Sequence, residues 1–372
     1  MTRHLPDPRH IPYHLVGISA LERFFSMPTG PYTTVEMSAE LHDLARTFES
    51  LSFPGLPHWD AMVTQGEHRV LIRTAEDAST DFNTAAHHPL LAFRWDPQAQ
   101  TFHDPHDLYP LLKEARRRLW TAQTVPGCED GTLPDCGPEP LEVSGLSALD
   151  AAVITARFPL VPAGPLDQWT NDPALPPAFH QQLLTLVLTG VFAQRGLEVL
   201  RRSGYLHAVL PELIKMNETE HSKEGHPEGN VWRHTVETLQ YRKHHDITTA
   251  LALVLHDAGK PFAQPRGNRR FDQHADIGAD LAGTILRRLE FSPALIADVQ
   301  WLIRYHMIPG ALDRLPDHRR DPVMASPLFP LLLEVYRCDL SSTFRGPENY
   351  YRACTIYRRF QKRQRGILSA AG

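Results

Sequence analysis

The stretch Leu251-Ala-Leu-Val-Leu-His-Asp-Ala-Gly-Lys-Pro261 decides how this chain is interpreted. Its apolar first half predicts a buried helix, which delivers an imidazole and a carboxylate together at its C-terminal end, in His256 and Asp257. Gly259 and Pro261 are typical of residues that end a helix. A His-Asp pair at a helix end can provide two ligands of a metal site, so further ligands are expected on either side of it in the sequence.

Four more candidate ligands flank this dipeptide, and each lies on or next to a predicted helix: His234, His274, His306 and Asp339. Imidazole nitrogens mixed with carboxylate oxygens suit a borderline or hard divalent ion, and the absence of sulfur argues against a structural zinc site. The set predicts one or two ions, drawn from Mn, Ni, Co, Fe, Zn and Mg. Asp257 would bridge the two ions if both are present.

The predicted ligand set indicates hydrolysis of a phosphate ester. A bound divalent ion lowers the pKa of its water towards neutrality and polarises a phosphoryl oxygen. Asp257 is the predicted catalytic carboxylate, and Lys260 lies where it could stabilise developing phosphate charge. A single histidine on an amphipathic helix more often packs in the core or lies on the surface than binds a metal. The joint occurrence of six spaced residues favours the metal site.

Other histidines and basic residues are assigned less specific roles. His244-His245-Asp246 contains a second His-Asp pair, but Asp246 is placed to cap the following helix. His221 and His226 fall in a polar turn and are expected to be solvated. The basic run that includes Arg358, Arg359, Lys362 and Arg363 offers contacts for RNA phosphates, or else a solvated helix end.

Composition favours a soluble, cytoplasmic protein. The chain has 372 residues, a formal net charge of −5, 42% hydrophobic and 22% charged residues. This charge balance excludes a general polyanion binder, so nucleic-acid contact would need a local basic patch. The four cysteines form no metal-binding spacing, although Cys128 and Cys136 are close enough in sequence to be bridged. No apolar run reaches membrane-spanning length.

The first 120 residues predict alternating strands and helices. Strands are expected at Ile11–Val16, Thr33–Val35, Arg69–Arg73 and Leu90–Trp95. A helix over Ser38–Leu51 is expected to begin with Ser38 as its N-cap. Residues 121–145 are rich in glycine, proline and acidic residues, which indicates an exposed linker.

From residue 205 onward the pattern predicts only helices, joined by short polar turns. The expected helices are Leu206–Met216, Val231–Arg242, Ile247–His256, Ala275–Leu289, Pro293–His306, Pro327–Ser341 and Pro347–Arg363. The predicted organisation is therefore a mixed first domain over 1–120, a linker and helical neck over 121–204, and a helical domain over 205–372 that ends in a basic helix.

Residues 196–307 resemble the HD domain of bacterial CCA-adding tRNA nucleotidyltransferases, within the HD superfamily of metal-dependent phosphohydrolases. The resemblance is carried by the stretches Gly196–Leu206, Leu210–Leu213, His226–Thr235, Leu255–Pro261, Phe271–Ala279 and Trp301–Met307. It implies that the metal ligands are His234, His256, Asp257 and Asp339, with His274 and His306 as an additional pair. It also implies phosphatase and 2′,3′-cyclic phosphodiesterase activities.

The first domain resembles the nucleotidyltransferase head of the same family, in a degenerate form. Tyr13-His-Leu-Val-Gly17 is similar to the opening strand of that head, but Ile18 replaces its second glycine. Where the family has two carboxylates one residue apart to hold two Mg²⁺ ions, this chain has Tyr32 and Thr34. A third carboxylate is missing from the strand Val70–Arg73. The resemblance implies an α+β protein: a degenerate α/β nucleotidyltransferase-like N-terminal domain, a helical neck and an all-α HD domain.

Three functions are compatible with these residues. The first is a metal-dependent phosphohydrolase acting on a cyclic phosphate, a phosphomonoester or an RNA 3′ end, with an inactive head. The second is a tRNA nucleotidyltransferase that uses an unusual acid set, such as Glu36 or Asp43. The third is a non-catalytic protein that binds tRNA or a nucleotide. The complete ligand set favours the hydrolase, because packing alone gives no reason for those six residues to occur together.

Overall fold

The structure of the chain, a computed structural model, describes residues 11–56, 58–66, 68–74, 88–123, 139–170, 175–220, 229–264, 271–343 and 346–370. It divides into two compact units, Met1–Ser203 and Gly204–Gly372. The fold is α+β, with a sheet in the first unit and helices in the second. Cys128, Cys136, His221 and His226 lie outside the described residues.

Within the described residues, the first unit is built on a seven-stranded sheet with the order β3-β4-β5-β2-β1-β6-β7. The strands are β1 Tyr13–Val16, β2 Tyr32–Met37, β3 Leu51–Ser52, β4 Ala61–Gln65, β5 His68–Thr74, β6 Arg94–Asp96 and β7 Thr101–His103. β2 and β5 are parallel, and the other neighbours are antiparallel. Every residue of the central strand β2 is buried, because side chains pack on both of its faces.

The two faces of this sheet are covered differently. On one face, Phe24 from the helix Ile18–Phe25 packs edge-on against Phe93 and Phe102, with ring centroids 5.7 and 5.4 Å away. On the other face, Tyr32 and Leu71 are buried in an apolar cluster that includes residues of the helix Pro177–Leu188. The remaining helical and strand elements of the first unit are α1 Ile18–Phe25, α2 Leu41–Thr47, α3 Tyr109–Gln123, β8 Leu141–Val143, α4 Ala148–Arg157, β9 Leu160–Pro162, α5 Pro177–Leu188 and α6 Ala193–Arg202.

The second unit is helical in its described residues. Its α-helices are α7 Tyr205–Val209, α8 Pro211–Asn217, α9 Val231–Thr238, α10 Ile247–Leu255, α11 His274–Arg288, α12 Pro293–Tyr305, α13 Asp317–Met324, α14 Phe329–Ser341 and α15 Glu348–Ala370. The predicted capping role of Asp246 is confirmed, since its side chain accepts a 2.8 Å hydrogen bond from the Thr249 backbone N–H at the start of α10. No helix in the described part of the chain is long and apolar enough to cross a membrane.

Three predicted elements are wrong in their bounds or type. The apolar run predicted as a strand over Leu90–Trp95 begins as a 3₁₀ turn, Pro89–Ala92, and only Arg94–Asp96 is a strand. Helix α2 begins at Leu41, and Glu40 rather than Ser38 is its N-cap. The single helix predicted over Leu206–Met216 is two, because Pro211 starts α8 and holds Leu210 out of the helical region, at φ −132°.

Candidate metal centre

Five helices of the second unit bring the six predicted ligands together. His256 is the C-cap of α10 and Asp257 follows it, while His306 is the C-cap of α12. His234 lies in α9, His274 is the first residue of α11, and Asp339 lies in the last turn of α14. The ends of α10, α11 and α12 thus lie beside α9 and α14. The six side chains converge from these separate helices into one cluster.

The six side chains form two groups of three. In each group, one ligand atom from every residue lies within 4.8 Å of the others: His234, His256 and Asp339 in the first, and Asp257, His274 and His306 in the second. In the first group, Asp339 Oδ1 is 2.9 Å from His234 Nε2 and 3.7 Å from His256 Nε2. This spacing is suited to ligands that surround a single ion.

Asp257 touches both groups through different oxygens. Its Oδ2 is 3.3 Å from His256 Nε2 and 3.9 Å from His234 Nε2. Its Oδ1 is 3.6 Å from His274 Nε2. One carboxylate therefore faces the first group with one oxygen and the second group with the other, as a bridging ligand would.

The Nδ1 atoms of three imidazoles are committed to backbone carbonyls. His256 Nδ1 donates to Leu253 O at 2.7 Å, and His306 Nδ1 donates to Ile303 O at 2.7 Å. His274 Nδ1 donates to the carbonyl of Phe271 at 2.9 Å. Each bond spans three residues and fixes the proton on Nδ1, so each neutral ring directs an unprotonated Nε2 into the cluster.

His234 is held by a serine that the sequence gave no reason to select. Ser342 Oγ donates its one proton to the Asp339 carbonyl at 2.7 Å and lies 3.1 Å from His234 Nδ1. Ser342 Oγ thus contacts His234 through Nδ1, while His234 Nε2 lies 2.9 Å from Asp339 Oδ1, within hydrogen-bond distance of the carboxylate. The other three imidazoles present Nε2 lone pairs to the cluster.

The Nε2 atoms that carry these lone pairs lie closer together than packing or hydrogen bonds alone can explain. His274 Nε2 and His306 Nε2 are 3.3 Å apart, and His256 Nε2 is buried without a hydrogen-bond partner. Neutral acceptor atoms at such distances repel one another unless a proton or a cation lies between them. Four imidazoles, two carboxylates and no sulfur fit a divalent ion that prefers nitrogen and oxygen ligands.

Burial keeps part of the cluster free of protons. Burial, followed by the charges of His256 and His274, lowers the pKa of His306 to about 3. Burial likewise lowers the pKa of His274. Burial alone would raise the pKa of Asp339, but its hydrogen bond with His234 and the neighbouring imidazoles outweigh it and hold that pKa well below its usual range. The carboxylate is therefore charged and His306 neutral near pH 7.

The depressed pKa of His306 predicts that the metal-free protein loses stability between pH 7 and pH 5. In this range the unfolded imidazole takes up a proton and the folded one does not, so the free energy of unfolding falls as the pH falls. With a folded pKa of about 3, the loss from this one group is about 2 kcal/mol. Urea unfolding at the two pH values, in the presence of a chelator, measures it.

The control for this prediction is His306→Gln, which keeps a neutral polar side chain but cannot be protonated in this range. We expect the variant to lose less stability than the parent between pH 7 and pH 5, although His274, whose pKa is also lowered, keeps part of the slope. An equal pH dependence in the variant and the parent would contradict the assignment.

Lys260 lies beside the predicted bridging carboxylate. Its Nζ is 2.6 Å from Asp257 Oδ2, and its ammonium group is 5.6 Å from the centroid of the Phe271 ring. The exposed fractions of the side chains show where the cluster opens: Asp339 is 22%, His274 13% and Lys260 10% exposed, against 1% for His256. A ligand from solvent would therefore meet the carboxylate of α14, the first turn of α11 and the ammonium group.

The residues predicted to contact RNA lie on α15. Arg358, Arg359 and Lys362 are exposed along this helix. Arg363 forms an ion pair with Asp321 and lies 3.9 Å from Asp317, so it is held against α13. The structure does not bring these four residues into the six-residue cluster.

The positions predicted to have lost the paired carboxylates lie in β2 of the first unit. Thr34 Oγ1 donates to the Val16 carbonyl at 2.6 Å and accepts from the Ser19 backbone N–H at 3.3 Å. The hydroxyl of Tyr32 accepts a 2.9 Å hydrogen bond from Arg69, which stands opposite it in β5. Both side chains are therefore buried and hydrogen-bonded, Thr34 to neutral backbone groups and Tyr32 to a guanidinium group.

Two acids of the first unit, Glu36 and Asp43, could replace the missing paired carboxylates, but both are already paired with other side chains. Glu36 is buried, with Oε2 2.9 Å from Arg73 and Oε1 3.0 Å from Arg94. Asp43 lies on exposed helix α2, 3.0 Å from His42. These two acids lie on different elements, and Glu36 is neutralised by two guanidinium groups.

Comparison with known proteins identifies part of the chain. Residues 231–336 match the HD domain family. The CC-adding tRNA nucleotidyltransferase of Thermus thermophilus is 32% identical over 150 residues, which cover 37% of this chain and 32% of that protein. The A-adding tRNA nucleotidyltransferase of Deinococcus radiodurans is 31% identical over 170 residues, covering 42% of this chain and 37% of that protein. The matched region thus spans about a third of the length of these relatives.

Solved structures that this chain matches include a CCA-adding enzyme from Bacillus stearothermophilus in complex with CTP, with a TM-score of 0.44 and 15% identity over 97% of this chain and 95% of that one. A tRNA nucleotidyltransferase complexed with a primer tRNA and an incoming ATP analog has a TM-score of 0.42 and 11% identity, covering 96% of this chain and 97% of that one.

Proposed function

We propose that the HD domain at residues 231–336, in a chain related to the bacterial tRNA nucleotidyltransferases, is a metal-dependent phosphohydrolase. One observation carries this proposal. Three of the four buried or half-buried imidazoles commit Nδ1 to a backbone carbonyl and direct an unprotonated Nε2 into a cluster with two carboxylates, and His256 Nε2 has no hydrogen-bond partner. Such an arrangement is costly in a folded protein unless a cation binds there.

The two groups of three would hold one ion each, or a single ion in either group. His234, His256 and Asp339 would be the ligands on one side, and His274 and His306 on the other, with Asp257 shared. A divalent ion bound here supplies a nucleophilic hydroxide near neutral pH and polarises a phosphoryl oxygen. Mn, Ni, Co, Fe, Zn and Mg all suit this mixture of nitrogen and oxygen ligands.

The protein's own groups supply orientation and charge. Lys260, 2.6 Å from Asp257 Oδ2, holds that carboxylate in place and adds a positive charge beside the site. Because Lys260 is among the more exposed members of the cluster, a phosphate that enters from solvent would meet its ammonium group. A fixed cation that faces the developing negative charge of a phosphoryl transition state lowers its energy.

The proposal includes a head that does not transfer nucleotides. Two-metal nucleotidyl transfer needs carboxylates that share a pair of ions. Tyr32 and Thr34 provide neutral oxygens instead, and Arg69 lies beside Tyr32 where a negative charge would be required. Tyr32 also packs with Leu71 in an apolar cluster. The head would act as a scaffold or as a module that positions RNA.

The proposed substrates are phosphate esters of nucleotides or of an RNA 3′ end, with 2′,3′-cyclic phosphates first among them. The exposed arginines and lysine of α15 would contact a phosphate backbone, and tRNA is a proposed partner because the relatives are named for acting on it. A cytoplasmic location is part of the proposal, and the free thiols of Cys338 and Cys354 agree with a reducing compartment.

The first test is hydrolysis of 2′,3′-cyclic AMP and of a nucleoside monophosphate by the chelator-treated full chain. We expect turnover on addition of Mn²⁺ or Ni²⁺ and none without a divalent ion. In parallel, the same protein is given CTP or ATP and a tRNA that lacks its 3′ end, and we expect no incorporation.

Each result selects one of the three functions. Incorporation of nucleotides would overturn the inactive head. Folded protein that hydrolyses neither ester with any divalent ion, yet binds tRNA, would replace the hydrolase with a non-catalytic binding protein.

Ser342 supplies a prediction about how the site is positioned. Its hydroxyl lies 3.1 Å from His234 Nδ1 and holds that ring in place, so Ser342→Ala should leave the His234 ring free to rotate or to change tautomer. Loss of a partner that orients a metal-bound histidine typically weakens metal affinity about 10- to 100-fold. Mn²⁺ titration followed by electron paramagnetic resonance measures this change.

The matched control is Thr343→Ala. Thr343 Oγ1 bonds the Leu340 carbonyl at 2.8 Å, as Ser342 Oγ bonds the Asp339 carbonyl, but Leu340 is not one of the six candidate ligands. We expect Thr343→Ala to bind Mn²⁺ like the parent chain. Equal weakening in both variants would show that the hydroxyls act only by completing the end of α14.

A further inference from the structure

A second group of possible ligands lies in the first unit, on three neighbouring strands. His14 is in β1, Asp96 ends β6, and His103 ends β7. The register places Leu15 opposite Trp95, so the alternation of side chains puts His14 and Asp96 on one face of the sheet. In β7, His103 stands opposite Arg94, two residues from Asp96, and so on the same face.

The three side chains are close enough to share an ion. One ligand atom from each lies within 4.8 Å of the others. His14 Nε2 is 3.8 Å from Asp96 Oδ2, and the His14 and His103 rings are nearly perpendicular, with centroids 5.8 Å apart. The 3.8 Å separation is too long for a hydrogen bond, so the carboxylate and the imidazole do not satisfy each other directly.

Neighbouring groups hold Asp96 in place and partly offset the positive charge of Arg94 near the site. Asp96 Oδ1 accepts hydrogen bonds from the backbone N–H groups of Gln98 and Ala99, at 2.7 and 3.0 Å, which leaves Oδ2 on the side of His14. Burial lowers the pKa of His14, the Asp96 carboxylate opposes this, and Arg94 adds a smaller lowering effect. The Arg94 guanidinium is held 3.0 Å from Glu36 Oε1, so its charge is partly offset.

We propose that His14, Asp96 and His103 form a second divalent-ion site, in the first unit, that takes a borderline transition-metal ion such as Zn²⁺, Ni²⁺ or Co²⁺. Two imidazoles and one carboxylate favour these ions over Mg²⁺, which prefers oxygen ligands. Three protein ligands leave further coordination positions for water or an exogenous ligand. The six candidate ligands of the HD domain, here called the HD cluster, lie in the second unit, whereas this site lies in the first unit. It contains only one carboxylate.

The test counts metal in the untagged full chain, in a background that carries Asp257→Asn and His306→Gln to weaken the HD cluster. Equilibrium dialysis with Zn²⁺ should find an equivalent that His103→Gln removes, with an affinity loss above about 100-fold, which exceeds the effect of losing a group that only orients a ligand. His103 is exposed, so this variant should fold normally. The visible absorption of bound Co²⁺ should change in the same variant.

The matched control is His42→Gln. His42 is an exposed histidine of the same unit, 3.0 Å from Asp43, outside the three-residue group. We expect it to retain the equivalent of Zn²⁺ and the Co²⁺ spectrum, whereas His14→Gln should lose both. Undiminished Zn²⁺ binding in His103→Gln and His14→Gln, or no bound Zn²⁺ in the background chain, would overturn the proposal. Because the readout is metal bound in the HD-weakened chain, it is independent of hydrolase activity.

Discussion

Replacing Asp257 with asparagine should abolish the proposed metal-dependent hydrolysis, with a loss on the order of 10³-fold in kcat/KM. Asp257 is the carboxylate that touches both groups of imidazoles, with Oδ2 3.3 Å from His256 and Oδ1 3.6 Å from His274. The amide keeps the shape but removes the negative charge and turns one oxygen into a donor that faces unprotonated nitrogens. It also leaves the Lys260 ammonium without its carboxylate.

The control for this variant is the same substitution in the chain's other His-Asp dipeptide. Asp246 caps the N-terminus of the helix whose C-terminus carries His256, and asparagine caps helices about as well as aspartate. We expect Asp246→Asn to keep full activity and to change stability by less than about 0.5 kcal/mol. Initial rates with 2′,3′-cyclic AMP and Mn²⁺, with circular dichroism to verify folding, distinguish the two. Asp257→Asn that keeps more than about a tenth of the parent rate would exclude Asp257 from the chemistry.

The sequence and its family resemblance predicted both the candidate ligands and their division, with His274 and His306 as an additional pair and Asp257 between the two sets. His256 and Asp257 stand out because a helix end fixes them side by side. The distances among the six residues depend on how α9, α11, α12 and α14 pack around α10, which no sequence pattern states. Ser342 could not be selected, because a serine near a helix end ordinarily bonds the backbone. The one available signal was its position three residues after Asp339.

Errors in the predicted elements came from short apolar runs and from proline. An apolar run such as Leu90–Phe93 is compatible with a strand or with a buried turn. Here Pro89 is the first residue of a 3₁₀ turn, which favours the turn. Helix α13 was not predicted, because its sequence is charged and contains Pro322. The short strands β3, β8 and β9 also carry too few residues for a clear alternation. Long periodic helices, such as α10 and α12, were placed to within a residue or two.

The sequence predicts that Tyr32 and Thr34 stand where the resemblance leads us to expect paired carboxylates, but it does not show what these two side chains bond. The sequence shows Tyr32 and Thr34, but only the fold shows that Thr34 bonds Val16 and that Arg69 bonds Tyr32. The polar face of the same sheet instead carries Glu36 between two arginines. The Thr34 hydroxyl bonds a backbone carbonyl, and the Glu36 carboxylate pairs with two guanidinium groups. These contacts spare the fold the cost of burying a polar backbone atom or a charge without a partner.

Gly259 explains how the His-Asp turn can lie against α11. A Cβ atom at this position would be 2.1 Å from the His274 carbonyl oxygen and 2.6 Å from the Gly278 backbone nitrogen. The backbone of Gly259 itself is ordinary, with φ −78° and ψ −18°. The requirement is therefore for space between two backbones, because atoms of the main chain cannot rotate away as a side chain can.

Gly259→Ala should consequently separate α11 from the end of α10 and move His274 from its place 3.6 Å from Asp257. We expect a stability loss of about 3 kcal/mol, at the upper end of overpacking, and at least about 100-fold weaker Mn²⁺ binding. Gly283→Ala, in the same helix, is the control, since its Cβ would meet the movable side-chain end of Gln300. Alanine is favoured over glycine inside a helix, so this variant should stay within about 1 kcal/mol of the parent. Thermal unfolding and Mn²⁺ titration of both variants decide the matter. A Gly259→Ala protein as stable and as metal-competent as Gly283→Ala would mean that the two backbones are not held at this distance.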